Sequence, residues 1–178
     1  HPDNVAASLF GGLVVSAEQG DGRVEVVPFF DIMADLLLFI PDYELKTEDA
    51  RKVLPDFYAR KEAVKGSAAS NLFIAALISG QYELAGKMME QDRFHEPYRT
   101  KLIPEFLEIR RLAKSLGAYG TVISGAGPTV ISLVPSGQAE AMAETIHAHF
   151  PHVLVEPAKI DRTGLSVEKY AASNMLNL

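Results

Sequence analysis

Apolar residues follow two periods along the chain, one typical of strands and one typical of helices. Two alternating runs rich in Val flank the turn signal Asp21-Gly22 within residues 13–29, which predicts a β-hairpin. A mostly apolar run at residues 34–41, ADLLLFIP, is short enough for a buried strand, and residues 152–160 predict a final strand.

Several other segments carry apolar residues at spacings of three and four, which predicts amphipathic helices. The predicted helices cover residues 4–12, a short stretch from Thr47, and residues 60–80, 82–91, 104–117 and 138–150. Asp3 and Thr47 are predicted N-caps. The predicted inward residues are Phe73, Ala76, Leu77, Leu84, Met88, Phe106, Ile109, Ala113, Leu116, Ala139, Met142, Ala143, Ile146 and Phe150.

The order of these elements predicts an α+β fold. From about residue 31 the order is strand, helices, strand, strand, helix, strand, which is the split βαβ or ferredoxin-like pattern with a helical insertion after the first strand. A short helix and a hairpin precede it. The pattern is shared by proteins of many functions, so it does not indicate one.

Composition excludes several classes of protein. The 178 residues carry a formal charge of -6, which argues against a nucleic-acid surface. No apolar run approaches the roughly 18 to 20 residues of a membrane span, and no signal peptide is apparent. The absence of cysteine excludes disulfides and fits a reducing compartment, so a cytoplasmic location is expected.

The stretch ISGAGPTV, residues 123–130, is longer than a simple hairpin turn requires. Two glycines and a proline separate two apolar runs that predict strands. A strand follows the glycines and no Lys-Ser/Thr pair is present, so neither a Walker A loop nor a dinucleotide-binding fingerprint is supported. Taken alone, Gly-X-Gly between strands is most often a turn, and its excess length suggests that another group approaches the backbone.

Three stretches in this order resemble the homoserine kinase family. SGAGPT at residues 124–129 is similar to the third glycine motif of the superfamily of galactokinase, homoserine kinase, mevalonate kinase and phosphomevalonate kinase. HPDNVA at residues 1–6 and HEPYR at residues 95–99, followed by LIP, resemble segments typical of homoserine kinases. The resemblance covers essentially the whole chain. The family's phosphate loop is not in this sequence, and the chain begins at His1 without Met, so a fragment is expected.

The resemblance implies ATP-dependent phosphorylation of the side-chain hydroxyl of L-homoserine, a step of threonine biosynthesis. Residues 1–30 would be the tail of the N-terminal kinase domain and residues 31–178 the C-terminal kinase domain. ATP and Mg²⁺ would be bound mostly by the missing N-terminal half, and this fragment alone is expected to be inactive. A homodimer is left open.

The resemblance also implies roles for individual residues. Arg99 would bind the substrate carboxylate as a two-point clamp, with a solvated surface arginine beside Glu96 as the alternative. His1 would donate to the same carboxylate.

Asp3 and Asn4 would orient the acceptor hydroxyl or stabilise the transition state, with simple helix capping as the alternative. Whether the reaction needs a catalytic base is open.

In the glycine loop, residues 124–127, the amides beside Gly125 and Gly127 would approach the substrate and brace the phosphate loop. Ser124 begins this loop, and Ala126 stands where many relatives have Ser, so a side-chain role at that position is doubtful.

Two other functions remain open at this stage. One is a ferredoxin-like module that binds an amino acid or mediates dimerisation without catalysis, and the other is a superfamily kinase with another small acceptor. His95, His147, His149 and His152 do not form a compact ligand set in the sequence, so no metal site is expected among them.

Overall fold

The computed structural model describes residues 2–168, with side chains from Asn4 onward. The chain divides into two compact units. The first contains residues 2–31 together with residues 161–168, and the second is Ile32–Ile160. The resemblance implied one domain over residues 31–178, whereas residues 161–168 group with the first unit.

The first unit consists of a helix and a hairpin. Its elements are α1 (Pro2–Phe10), β1 (Leu13–Glu18) and β2 (Val24–Phe29). The two strands pair antiparallel across the predicted turn, in which Gly22 adopts a φ of 82°. The predicted hairpin is confirmed. Helix α1 begins at Pro2, so Asp3 lies within its first turn, and the prediction of Asp3 as the N-cap was wrong.

Residues 161–165 complete this unit through the main chain. The amide of Gly12 donates to the carbonyl of Asp161 at 2.6 Å, and the amide of Leu165 donates to the carbonyl of Leu9 at 3.1 Å. The Asp161 carboxylate accepts hydrogen bonds from the amides of Thr163 and Gly164, which holds this segment in a tight turn.

The second unit is a mixed α+β structure built on a four-stranded sheet. Its elements are β3 (Ala34–Pro41), α2 (Thr47–Lys52), α3 (Arg60–Ile78), α4 (Tyr82–Met89), α5 (Glu96–Arg99), a 3₁₀ turn (Thr100–Leu102), α6 (Phe106–Ser115), β4 (Gly120–Ile123), β5 (Val130–Pro135), α7 (Ala139–His147) and β6 (Val153–Ala158). The sheet order is β4-β5-β3-β6, and every neighbouring pair is antiparallel.

The core lies between this sheet and helices α6 and α7. Leu37 and Phe39 of β3 are fully buried against Phe106 and Ile109 of α6 and Ile146 of α7. The predicted inward face of α7 is confirmed at its four positions, because burying these side chains removes a continuous apolar stripe from water, and Phe150, which follows the end of the helix, is buried as well. Phe73 and Leu116 are only half-buried, whereas the other predicted residues of α3 and α6 are buried.

The buried face of helix α4 differs from the apolar face that the sequence predicts. Leu84 and Met88 are half-buried, and Ala85 and Gly86 are the buried residues. A Cβ on Gly86 would overlap the carbonyl of Tyr119, and one on Gly120 would overlap the backbone of Gly86. The two backbones are therefore in direct contact, which brings the small face of α4, and not its larger side chains, against β4.

No helix in residues 2–168 is long and apolar enough to cross a bilayer.

Helix α2 begins at Thr47 and is preceded by Lys46 at the N-cap position, so the prediction of Thr47 as the N-cap was wrong. Glu48 and Asp49 lie in its first turn, as expected for acidic side chains near the positive end of a helix dipole.

Candidate functional site

The glycine loop connects β4 to β5. The amide of Ser124 donates to the carbonyl of Thr129 at 2.8 Å, and the amide of Gly127 donates to the carbonyl of Ser124 at 2.9 Å. The second bond closes a four-residue turn with Gly125 at φ 56°, and Gly127 follows at φ 84°. Both values lie in the left-handed region that glycine adopts without steric cost. The Gly127–Pro128 peptide is cis.

The two glycines differ in what surrounds them. A Cβ on Gly125 would face open space, whereas one on Gly127 would lie 2.8 Å from Cδ1 of Ile103 and close to Ile123 and Leu45. Gly127 is thus required by packing as well as by backbone conformation. Gly125 is exposed and is required by backbone conformation alone, so its surroundings are free to receive another molecule.

Arg99 joins this loop from helix α5. Its side chain is 9% exposed. Nε donates to the carbonyl of Ala50 at 3.2 Å, and Nη1 donates to the carbonyl of Gly125 at 2.8 Å. The alternative of a solvated surface arginine was therefore wrong. The structure brings together Arg99 and Gly125, two of the residues that the sequence predicted for substrate binding.

This hydrogen bond fixes the direction of one peptide group in the loop. The Gly125–Ala126 peptide is trans, so its N–H points opposite to its carbonyl. Because the carbonyl of Gly125 faces Arg99, the amide of Ala126 points away from Arg99. Within the described part of the chain, neither this amide nor that of Gly125 has a hydrogen-bond acceptor. Two adjacent donors of the glycine loop are thus available to a ligand.

The guanidinium of Arg99 also retains one nitrogen for other contacts. Among residues 2–168, Nη2 has no hydrogen-bond partner, and no buried side-chain nitrogen or oxygen is left unsatisfied. Nη2 therefore keeps contact with solvent. With Nε and Nη1 already donating to the main chain, the arrangement offers an anion one free nitrogen rather than the whole fork.

Asp92 builds the start of helix α5. Its carboxylate accepts hydrogen bonds from the amides of Phe94, His95 and Glu96 at 2.6 to 2.9 Å. Asp92 is thus a capping residue for the helix that carries Arg99. The sequence prediction missed it, although an Asp a few residues before a Pro at the first helical turn is a recognisable signal.

Glu96 and Arg110 form the main buried ion pair near the loop. Arg110 Nη2 donates to Glu96 Oε1, and Glu96 is 8% exposed. Burial raises the pKa of Glu96 above its ordinary value, while the hydrogen bond and the positive charge of Arg110 act in the opposite direction. Neither residue was predicted as functional, because a Glu and an Arg fourteen positions apart carry no local signal.

The remaining predicted residues belong to the first unit or lie outside the described residues. His1 is outside them. Asp3 lies in the first turn of α1, and Asn4 follows it; Asn4 is exposed, and its carbonyl accepts a hydrogen bond from the hydroxyl of Ser8 at 3.1 Å. The roles of Asp3 and Asn4 stay predictions.

The described residues do not fit a resident magnesium ion or a nucleotide phosphate chain. Residues 2–168 contain no cluster of three or more His, Asp or Glu side chains that could hold a metal. The glycine loop is followed by a strand and not by a helix whose N-terminus would face phosphates. What the geometry provides is a buried arginine on one side of the loop and a free amide, that of Ala126, which points away from it.

Comparison with known proteins shows which families this chain is similar to. Residues 73–152 match the family model described as GHMP kinases C terminal, which covers the glycine loop, Arg99 and α6. This part of the chain is therefore similar to the C-terminal part of GHMP kinases.

The chain also matches homoserine kinases over nearly its whole length, which confirms the predicted resemblance. It is 48% identical to a homoserine kinase of Staphylococcus saprophyticus, over 94% of this chain and 55% of the relative. It is 47% identical to one of Oceanobacillus iheyensis, over 95% of this chain and 58% of the relative.

A solved structure agrees with these relatives. The crystal structure of a homoserine kinase from Cytophaga hutchinsonii aligns with a TM-score of 0.83 and 30% identity, over 92% of this chain and 53% of that chain. The chain thus spans a little over half the length of the relatives that it matches.

Proposed function

We propose that this chain is the C-terminal part of an ATP-dependent homoserine kinase, which phosphorylates the side-chain hydroxyl of L-homoserine in threonine biosynthesis. The observation that carries the proposal is the identity of 47 to 48% with homoserine kinases over 94 to 95% of the chain. The hydrogen bond between Arg99 and the glycine loop supports it, because it joins two of the residues that the resemblance implies for substrate binding.

In this proposal, the second unit binds the amino-acid end of the acceptor. Arg99 contributes Nη2 to the α-carboxylate, and the amides of Gly125 and Ala126 donate to an anionic oxygen of the reactants. His1 would contribute a further donor, and Asp3 and Asn4 would position the acceptor hydroxyl. Phosphoryl transfer depends chiefly on such positioning and charge stabilisation, so the reaction needs no covalent intermediate.

ATP and Mg²⁺ are assigned to the part of the relatives that this chain does not span. We further propose a cytoplasmic location, which the absence of cysteine in the sequence favours.

We also propose that the second unit is a ferredoxin-like domain with a helical insertion between its first two strands. The support is its sheet order, in which β3 and β5 are central and β4 and β6 are outer strands, all antiparallel. Residues 1–30 would then be the tail of the N-terminal kinase domain, and residues 161–168 group with residues 2–31 in the structure.

The test is a substrate panel with the complete enzyme that contains this chain. Purified enzyme with ATP and Mg²⁺ is offered L-homoserine, mevalonate and cytidyl diphosphate methylerythritol, and ADP formation is measured. We expect turnover with L-homoserine alone. Residues 1–178 expressed alone should show no phosphoryl transfer. Preference for another acceptor would refute the assignment of L-homoserine as the substrate. Phosphoryl transfer by residues 1–178 alone would refute the assignment of the ATP site to the part of the enzyme outside this chain.

A further inference from the structure

The outer edge of β4 is covered by side chains rather than by another strand. Glu90 Oε1 accepts a hydrogen bond from the amide of Thr121 at 3.0 Å, and Arg110 Nε donates to the carbonyl of Thr121 at 2.8 Å. Glu96 Oε2 accepts from the amide of Ile123 at 3.3 Å. Side chains from three helical segments thus take the hydrogen bonds that a neighbouring strand would make.

Two of these side chains are also paired with each other. Arg110 donates to the second oxygen of Glu96 and lies over the ring of Phe106, with its Cζ 4.4 Å from the ring centre. A buried carboxylate is stable only when it is paired and hydrogen-bonded, and Glu96 uses both oxygens in this way. Removing Arg110 therefore takes the counter-charge from the buried Glu96, whereas Arg110 without Glu96 would keep the carbonyl of Thr121 and the carboxylate of Glu90 as partners.

Glu96 and Arg99 connect the same short helix to two neighbouring points of the glycine loop. Glu96 holds the amide of Ile123, the last residue of β4, and Arg99 holds the carbonyl of Gly125, two residues later. The two side chains are one helical turn apart on α5. Helix α5, the end of β4 and the first turn of the loop thus form a closed ring of contacts.

We propose that Glu96, with Arg110 as its counter-charge, is a positioning residue for the acceptor site. By fixing α5 against the end of β4, it sets the distance between Arg99 and the Gly125 carbonyl and hence the direction of the Ala126 amide. This inference rests on the proposed function for its kinetic consequence. The effect on the loop itself does not depend on which acceptor the enzyme uses.

The test begins with Glu96→Gln in the complete enzyme. The amide oxygen of Gln accepts a hydrogen bond from either Ile123 or Arg110, while its NH₂ group faces the other donor, so one connection is lost at nearly constant volume. We expect the KM for L-homoserine to rise about tenfold, as for the loss of one charge-assisted hydrogen bond, and the KM for ATP to stay within about twofold. Arg110→Lys should have a similar effect, since an ammonium cannot serve Glu96 and Thr121 together.

The matched control is Glu108→Gln. Glu108 lies on α6 near Arg111, in an exposed pair with 3.9 Å between charged atoms. It should leave both KM values unchanged. An unchanged homoserine KM in Glu96→Gln, or an equal rise in both KM values, would overturn the positioning role.

A double-mutant cycle tests whether Glu96 acts through Arg99. If it does, Glu96→Gln should raise the homoserine KM much less in an Arg99→Ala background than in the wild type. Additive effects of the two substitutions on that KM would contradict the proposal.

Amide hydrogen exchange separates this inference from the proposed function. The amides of Ile123 and Gly127 are hydrogen-bonded within the ring, so Glu96→Gln should speed their exchange about tenfold or more, while Glu108→Gln should not. If the wild-type enzyme does not phosphorylate L-homoserine, the proposed function is wrong. The exchange rates still test whether Glu96 positions the loop, because they do not depend on the acceptor. Unchanged exchange at both amides would overturn the positioning role.

Discussion

The Nη1 atom of Arg99 lies 2.8 Å from the carbonyl oxygen of Gly125, and this hydrogen bond joins helix α5 to the glycine loop between β4 and β5. A residue predicted to bind substrate is therefore also part of the loop's structure. Its substitution affects ligand contact and loop geometry together, and the variants that follow separate these effects.

Arg99→Ala should raise the KM for L-homoserine about ten- to a hundredfold in the complete enzyme and leave the KM for ATP nearly unchanged. The physical reason is the loss of a cation beside the loop amides. Arg99→Lys should restore only part of this loss, because an ammonium cannot hold Ala50 and Gly125 and also reach a ligand. Steady-state kinetics in both substrates measures the effect.

The control for Arg99 is Arg111→Ala, which removes an exposed arginine of α6. It should change neither KM. Circular dichroism should show native secondary structure in all variants. A folded Arg99→Ala enzyme with wild-type kinetics would remove the main structural support for the substrate assignment.

Gly125→Ala should reduce kcat/KM by more than its loss of stability explains. Its Cβ would face open space, so the cost to folding is the backbone cost of the left-handed conformation, about 1 to 2 kcal/mol. Gly80 has a φ of 71° and equally open surroundings, so Gly80→Ala should have the same cost in stability without loss of activity. Urea unfolding and kcat/KM measured together would show this difference. Equal activity in the two variants would make the loop a simple connection.

Gly86→Ala should destabilise the second unit by about 2 to 3 kcal/mol, near the upper end of the usual range for overpacking. The added methyl group would overlap the main chain at Tyr119, which cannot move as a flexible side chain can. Lys87→Ala, on the exposed face of the same helix, should change stability by less than about 0.5 kcal/mol. A Gly86→Ala protein as stable as the control would mean that α4 and β4 are not in backbone contact.

Glu96 should give the protein a distinctive dependence of stability on pH. Burial raises its pKa above the ordinary value of 4.5, so the folded protein binds a proton at Glu96 more tightly than the unfolded chain does. The contribution of Glu96 to the free energy of unfolding is therefore largest at low pH and is lost as the pH rises through the folded pKa.

Glu96→Gln cannot titrate and should lack this decline. The measurement is urea unfolding of both proteins between about pH 4 and 8, with the difference taken at each pH. A wild-type stability that rises relative to the variant across this range would show that the pKa of Glu96 is lowered, with the charge of Arg110 outweighing burial.

Local patterns predicted most of the secondary structure. The strand Ala34–Pro41 and the apolar face of α7 follow directly from runs and spacings in the sequence. Helix α4 did not follow its apolar face, because its position is set by contact between Gly86 and Gly120, residues distant in sequence. A hydrophobic period of 3.6 residues identifies a helix, but it does not show which face of the helix packs against the rest of the protein when a contact with a distant residue favours another face.

Only those residues of the candidate site that lie within a recognisable motif were predicted from the sequence. Arg99 and Gly125 were identified through motif resemblance, and the structure places them in contact. Arg110 and Glu90 were missed, since their importance comes from covering the edge of β4, and that edge exists only in the folded sheet. Their sequence surroundings are those of ordinary charged helix residues.

The construction of the first unit affects the order in which the protein folds during synthesis. The partners of Gly12 and Leu9, namely Asp161 and Leu165, follow the entire second unit in the chain. A ribosome therefore completes all four strands of the sheet before the helix and hairpin gain their last hydrogen bonds. The second unit is contiguous in the chain and can fold as soon as it emerges from the ribosome. The helix and hairpin of the first unit are made earlier, but they gain their hydrogen bonds to Asp161 and Leu165 only after the second unit has been synthesised.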